Sequence, residues 1–107
     1  MNKPIKRKDN ELFEIIESKI NNGLYFITNH ARERMIERGV PEDHILHILL
    51  GKRGYKRARN KAKDTYEAGK YDWKYCFEGY VNTEEKSLRV IVSFEDGFMP
   101  IITVIWL

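Results

Sequence analysis

The chain has 107 residues, 42% of them hydrophobic, and a formal net charge of +3. That is the size of one domain with one modest core, and no stretch approaches the roughly 18 apolar residues of a membrane span, so a single soluble, cytoplasmic domain over residues 1–107 is expected. The lone cysteine, Cys76, excludes an internal disulfide and a CxxC redox or zinc pair.

Residues 1–9 read as a flexible basic arm. Asp9 or Asn10 then caps a first helix running to about Asn22, where Leu12, Phe13, Ile15, Ile16 and Ile20 form an apolar stripe at helical spacing. Gly23 ends it. Leu24 to Ile27, aromatic and β-branched, reads as a short strand or an extended lead into the core. Thr28 or Asn29 caps a second helix, HARERMIER, which Gly39 terminates. Pro41 suits the first turn of a third helix, and Glu42 and Asp43 complement its positive end. Ile45, Leu46, Ile48, Leu49 and Leu50 make that helix a principal core element.

Gly51 and Gly54 bracket its end, and a basic segment follows. Lys52, Arg53, Lys56, Arg57, Arg59, Lys61 and Lys63 lie in it with no acidic residue between them. The rest of the chain then holds 12 basic against 16 acidic residues, a balance of −4, so the positive charge is concentrated in one place. Phosphate contacts need charge density and little else, which favours a polyanionic partner such as RNA. Tyr55, Tyr66 and Tyr71 are near enough in sequence to stack on unpaired bases. The plainer alternative is a solvated loop, or one that docks an acidic protein.

From Thr65 the period becomes two. Tyr71, Trp73, Tyr75, Phe77 and Val81 fall on one face of a strand, and Asp72, Lys74, Cys76 and Glu78 on the other. NTEEKS suits a hairpin connection to a strand in which Leu88, Val90, Val92 and Phe94 share a face. Glu95, Asp96 and Gly97 turn the chain into IITVIWL, apolar on both sides and so expected as a strand covered on both faces. The fold expected is α+β, with N-terminal helices packed on an antiparallel sheet of four strands, within a range of three to five.

On the second helix, His30, Arg34 and Glu37 share a stripe with Arg38 at its margin, while Ala31 and Met35 point to the core. A histidine beside two arginines suits RNA cleavage by internal transfer: a base takes the 2′-hydroxyl proton, arginines hold the phosphorane charge and an acid protonates the leaving 5′-oxygen. His30 serves as base or acid in that scheme. Tyr66, Lys74 and a basic-segment residue are all open as the general acid. The alternative is a charged helix surface on which Arg34 and Arg38 pair with Glu33 and Glu37. His44 and His47, three apart on the third helix, have no third ligand at a recognisable spacing, so no metal site and no cofactor are expected.

The segment ITNHARERMIERGVPEDHIL resembles the opening signature of the bacterial family called domain of unknown function 4258, through Thr28, His30, Ala31, Arg34, Met35, Arg38 and Gly39. Ile102, Thr103 and Val104 resemble its closing strand. The resemblance implies a relative of RelE/ParE-type, BrnT-like toxins from type II toxin–antitoxin systems, with a RelE-like fold. It further implies a messenger-RNA interferase that acts on RNA, ribosome-bound messenger included. His30, Arg34 and Arg38 match the polar part of the signature, and the implied partner is a cognate antitoxin carrying an MqsA-type zinc finger. A non-catalytic RNA- or DNA-binding module, or a toxin that sequesters a protein target, is the alternative.

Overall fold

The computed structural model describes residues 3–107. Three helices form where the apolar spacing predicts them: α1 over Asp9–Asn21, α2 over Asn29–Arg38 and α3 over Glu42–Leu50. Helices α2 and α3 stop at Gly39 and Gly51, which take left-handed backbone at φ +64° and +66°. Only glycine enters that region without steric cost, so both positions act as chain breaks.

Five strands follow the same chain order: β1 over Tyr25–Ile27, β2 over Ala58–Arg59, β3 over Tyr75–Val81, β4 over Lys86–Val92 and β5 over Met99–Trp106. They assemble in the order β1-β5-β4-β3-β2. The β3-β4-β5 meander is antiparallel; the sheet as a whole has five strands, inside the expected range of three to five, and is mixed, which corrects the expected all-antiparallel pairing. Two strands extend the meander. Strand β1 lies parallel to β5, with Tyr25 opposite Met99, because two helices and most of the chain separate them and allow a crossover. Part of the basic segment, Ala58–Arg59, pairs with Glu78 and Phe77 and so becomes the opposite edge strand.

Helices α1 and α3 cover one face. Leu12, Ile16, Ile45, Ile48 and Leu49 are fully buried there against Tyr75, Phe77, Leu88, Val90, Val92, Met99, Ile101 and Val104. Each such side chain contributes about 1.5–3 kcal/mol by leaving water. Gly79 of β3 lets α3 come close: a Cβ there would lie 2.7 Å from both Ile48 Cγ1 and the Tyr55 carbonyl oxygen.

Two local readings change. Strand β3 starts at Tyr75, because Asp72 accepts hydrogen bonds from the Trp73 N–H, the Tyr75 hydroxyl and Arg7, and holds the chain in a turn. Asp72 is therefore buried, whereas Tyr71, expected on the core face, is 89% exposed. In β5, Ile91 faces Thr103 but Val92 faces Ile101, so Ile102 is an extra bulged residue. The core positions become Ile101 and Val104, and Ile102, Thr103 and Ile105 are only half-buried. Of the basic arm, Met1 and Asn2 lie outside the described residues; further along it, Trp73 Nε1 donates to the Pro4 carbonyl at 2.7 Å and the Arg7 N–H donates to the Tyr75 hydroxyl at 3.1 Å. Among the described residues no helix is long and apolar enough to cross a membrane.

Candidate nucleic-acid interface

The basic segment divides into cations the fold consumes and cations it leaves in solvent. Arg57 lies over the Phe13 ring at 3.7 Å and donates to the Leu49 carbonyl at 3.0 Å, closing the segment back onto α1 and α3. Burial there lowers its hold on its proton, against a small opposing effect of Glu17. Arg59 goes further inward. Its guanidinium donates to both Asp64 oxygens at 2.9 and 2.6 Å, to Asp9 at 3.3 Å and to the Cys76 carbonyl at 2.8 Å. Burial opposes the charge on both partners, and the mutual bonds outweigh it, raising the pKa of Arg59 and lowering that of Asp64.

Lys52, Arg53, Lys56, Lys61 and Lys63 are exposed. Lys61 reaches Asp9 at 3.5 Å, and among the described residues the other four make no ion pair. The loop backbone is thus pinned by two internal arginines while its remaining cations face water. Long flexible cations on a fixed backbone lose less freedom when they meet a polyanion than cations on a free loop.

The second predicted group sits elsewhere. Thr28 caps α2, its Oγ1 accepting from the Ala31 N–H at 3.1 Å and donating to the Ile102 carbonyl at 3.2 Å. Arg38 donates to the Val104 carbonyl, and Trp106 Nε1 donates to the Arg38 carbonyl at 2.8 Å. These bonds staple α2 along the edge of β5 beyond the reach of the three-residue β1. Arg38 therefore satisfies a strand-edge carbonyl, and Arg34 pairs with Glu37 at 2.8 Å. His30 is exposed at the start of the helix.

The strand order decides how the two groups relate. Helix α2 flanks β5 and the basic segment flanks β3, and β5 and β2 are three strand spacings apart, roughly 14 Å. His30 and the basic segment therefore occupy opposite edges of the sheet. Tyr66 belongs to neither group: its hydroxyl donates to the Lys70 carbonyl at 2.8 Å and its ring packs on Trp73. Thr28, Glu67, Lys70, Asp72, Lys74 and Glu95 are among the residues that line a separate cleft of about 260 Å³.

One arrangement has no counterpart in the sequence reading. The Tyr55 hydroxyl lies 3.2 Å from His44 Nδ1 and 3.1 Å from His47 Nδ1, with the His47 ring edge-on to the phenol. The i, i+3 spacing of the histidines was legible. Their shared partner, delivered by the loop after α3, was not.

A family profile described as domain of unknown function (DUF4258) matches residues 27–106. It takes in α2, α3, the basic segment and the β3-β4-β5 meander and leaves out α1 and most of β1. No curated protein and no solved structure matches the chain.

Proposed function

The chain belongs to the DUF4258 family, and we propose that it binds single-stranded RNA along the exposed cations of the Lys52–Lys63 segment and cleaves it, as the toxin half of a toxin–antitoxin pair. The observation that carries the binding claim is the division of labour in that segment. Arg57 and Arg59 are spent inside the fold, which fixes the loop, and Lys52, Arg53, Lys56 and Lys63 are exposed and make no ion pair among the described residues. Phosphates spaced along a flexible strand suit such a row of point charges. Tyr55, half-buried within the same loop, offers a ring face beside them.

The toxin and messenger-RNA parts of the reading rest on a resemblance of the DUF4258 family, whose opening signature Thr28–Gly39 matches, to RelE/ParE-type toxins, and with it comes a cognate antitoxin as protein partner. The direct test is to incubate purified protein with RNA in the absence of added metal, and in parallel to induce the gene in growing bacteria. Cut RNA and arrested growth are expected. Intact RNA with arrested growth sinks the nuclease reading.

A second reading has its own observation. His30 and the basic segment lie at opposite edges of the sheet, and Arg34 and Arg38 are engaged by Glu37 and Val104. A protein that only binds RNA or DNA, or sequesters a protein target, needs no such group assembled. It predicts tight, salt-dependent binding with no change in the nucleic acid.

A further inference from the structure

We infer that His44 and His47, joined through Tyr55, form the proton-transfer pair that cuts RNA bound on the adjoining cations; this rests on the nuclease reading above. Three features meet here and nowhere else among the described residues. Two half-buried imidazoles sit one turn apart on α3, with both Nδ1 atoms on a single phenolic oxygen. The loop that carries this phenol also carries Lys52, Arg53 and Lys56, all exposed. Beside it runs a groove of about 220 Å³ lined by Arg53, Gly54, Tyr55, Val81, Asn82 and Thr83, so Tyr55 belongs to both groove and imidazole pair.

Hydrogen bonding to one oxygen makes the two rings unequal. A phenol has one proton to donate, so it donates to at most one Nδ1, and the other ring must direct an Nδ1–H at the oxygen. That second ring, when neutral, carries its lone pair on Nε2 and is a base pointed away from Tyr55. With both Nδ1–H groups donating to the oxygen, one ring neutral and one protonated, the pair holds a base and an acid at once. Histidine is the side chain suited to either role near neutral pH.

The reaction is internal transfer and balances without a co-reactant. The neutral imidazole removes the 2′-hydroxyl proton, the 2′-oxygen forms a bond to phosphorus, and the bond from phosphorus to the 5′-oxygen breaks. The protonated imidazole gives its proton to that leaving oxygen. The products are a 2′,3′-cyclic phosphate and a 5′-hydroxyl, and Lys52, Arg53 and Lys56 offset the charge that gathers on the phosphorane. Tyr55 is a positioning residue, fixing which nitrogen of each ring faces outward.

The test uses the full-length protein with an end-labelled single-stranded RNA of mixed sequence and its all-deoxy counterpart. Wild type is expected to cut the RNA to cyclic-phosphate ends and to leave the deoxy strand whole. His44→Gln and His47→Gln are each expected to slow cutting by about 100-fold or more while RNA affinity and thermal midpoint stay near wild type. Tyr55→Phe is expected to keep binding but to change the pH profile of the rate, a readout that a merely packing role would not move. Undiminished cutting by both histidine variants overturns this inference and leaves the nuclease reading standing, whereas RNA left intact by wild type overturns both.

Discussion

Arg59 and Asp64, five residues apart in the chain, meet through two N–H···O contacts of 2.9 and 2.6 Å with their side chains only 6% and 0% exposed. The pair ties the end of the basic segment to β3, since Arg59 also reaches the Cys76 carbonyl and Asp64 accepts from the Cys76 N–H at 2.8 Å. Removing Arg59 leaves the enclosed Asp64 carboxylate with only the Cys76 N–H and the partly exposed Lys6, 3.3 Å away, at a cost of up to about 3–5 kcal/mol. Arg59→Ala is expected to lose stability on that scale in urea denaturation. An Arg59→Ala chain as stable as wild type contradicts the role assigned here.

The same pair sets an acid limit. Bonds from Arg59 and the Cys76 N–H, winning over burial, depress the folded pKa of Asp64 below its unfolded value. Its contribution is therefore complete above the unfolded carboxylate range, near pH 4, and is lost as pH falls through the lower folded value. Glu78 follows the same sign, its Oε2 accepting from Asn60 at 2.9 Å and from Arg89 at 2.9 Å. Asp64→Asn is expected to be less stable at neutral pH and to show a flatter stability profile between pH 5 and 2, measured by urea midpoints across that range.

Cys76 is fully buried, and burial pushes its thiol up to about 11, with Glu78 and Asp64 adding to the effect and Arg89 and Arg59 opposing it. A protonated, enclosed thiol is a poor nucleophile. Reaction with a thiol-specific dye at pH 8 is expected to be negligible in the native protein and complete in denaturant. Prompt native labelling would place Cys76 outside the core.

Arg38 and His30 separate on the same helix. Arg38→Met deletes the bond to the Val104 carbonyl and is expected to cost about 1 kcal/mol, read as a lower thermal midpoint. His30→Gln, at an exposed position, is expected to leave that midpoint unchanged.

Local signals in the sequence read through to structure. Thr28 caps α2, Gly39 and Gly51 end their helices, and the apolar spacing of α1 and α3 marks the buried residues, because each depends on neighbours within a turn or two. What was not legible depends on distant partners. Arg57 and Arg59 look like free charge until Phe13, Asp9 and Asp64 arrive from elsewhere in the chain. The bulge at Ile102 shifts the face of β5 by one residue without any glycine to announce it. Strand β2 is too short to show a period. Likewise His44 and His47 gain meaning only when the loop brings Tyr55 between them.

The measurement that tests the central claim most directly is the salt dependence of RNA binding, comparing wild type with a chain in which Lys52, Arg53, Lys56 and Lys63 are all glutamine. These side chains are exposed and unpaired among the described residues, so the variant is expected to fold with an unchanged thermal midpoint. Each lost phosphate contact reduces the slope of log affinity against log salt by about 0.7 for a single strand. A much weaker complex with a slope lower by about two to three units is the result predicted. Equal affinity and an equal slope in both proteins would contradict the assignment of this segment as the RNA-binding surface.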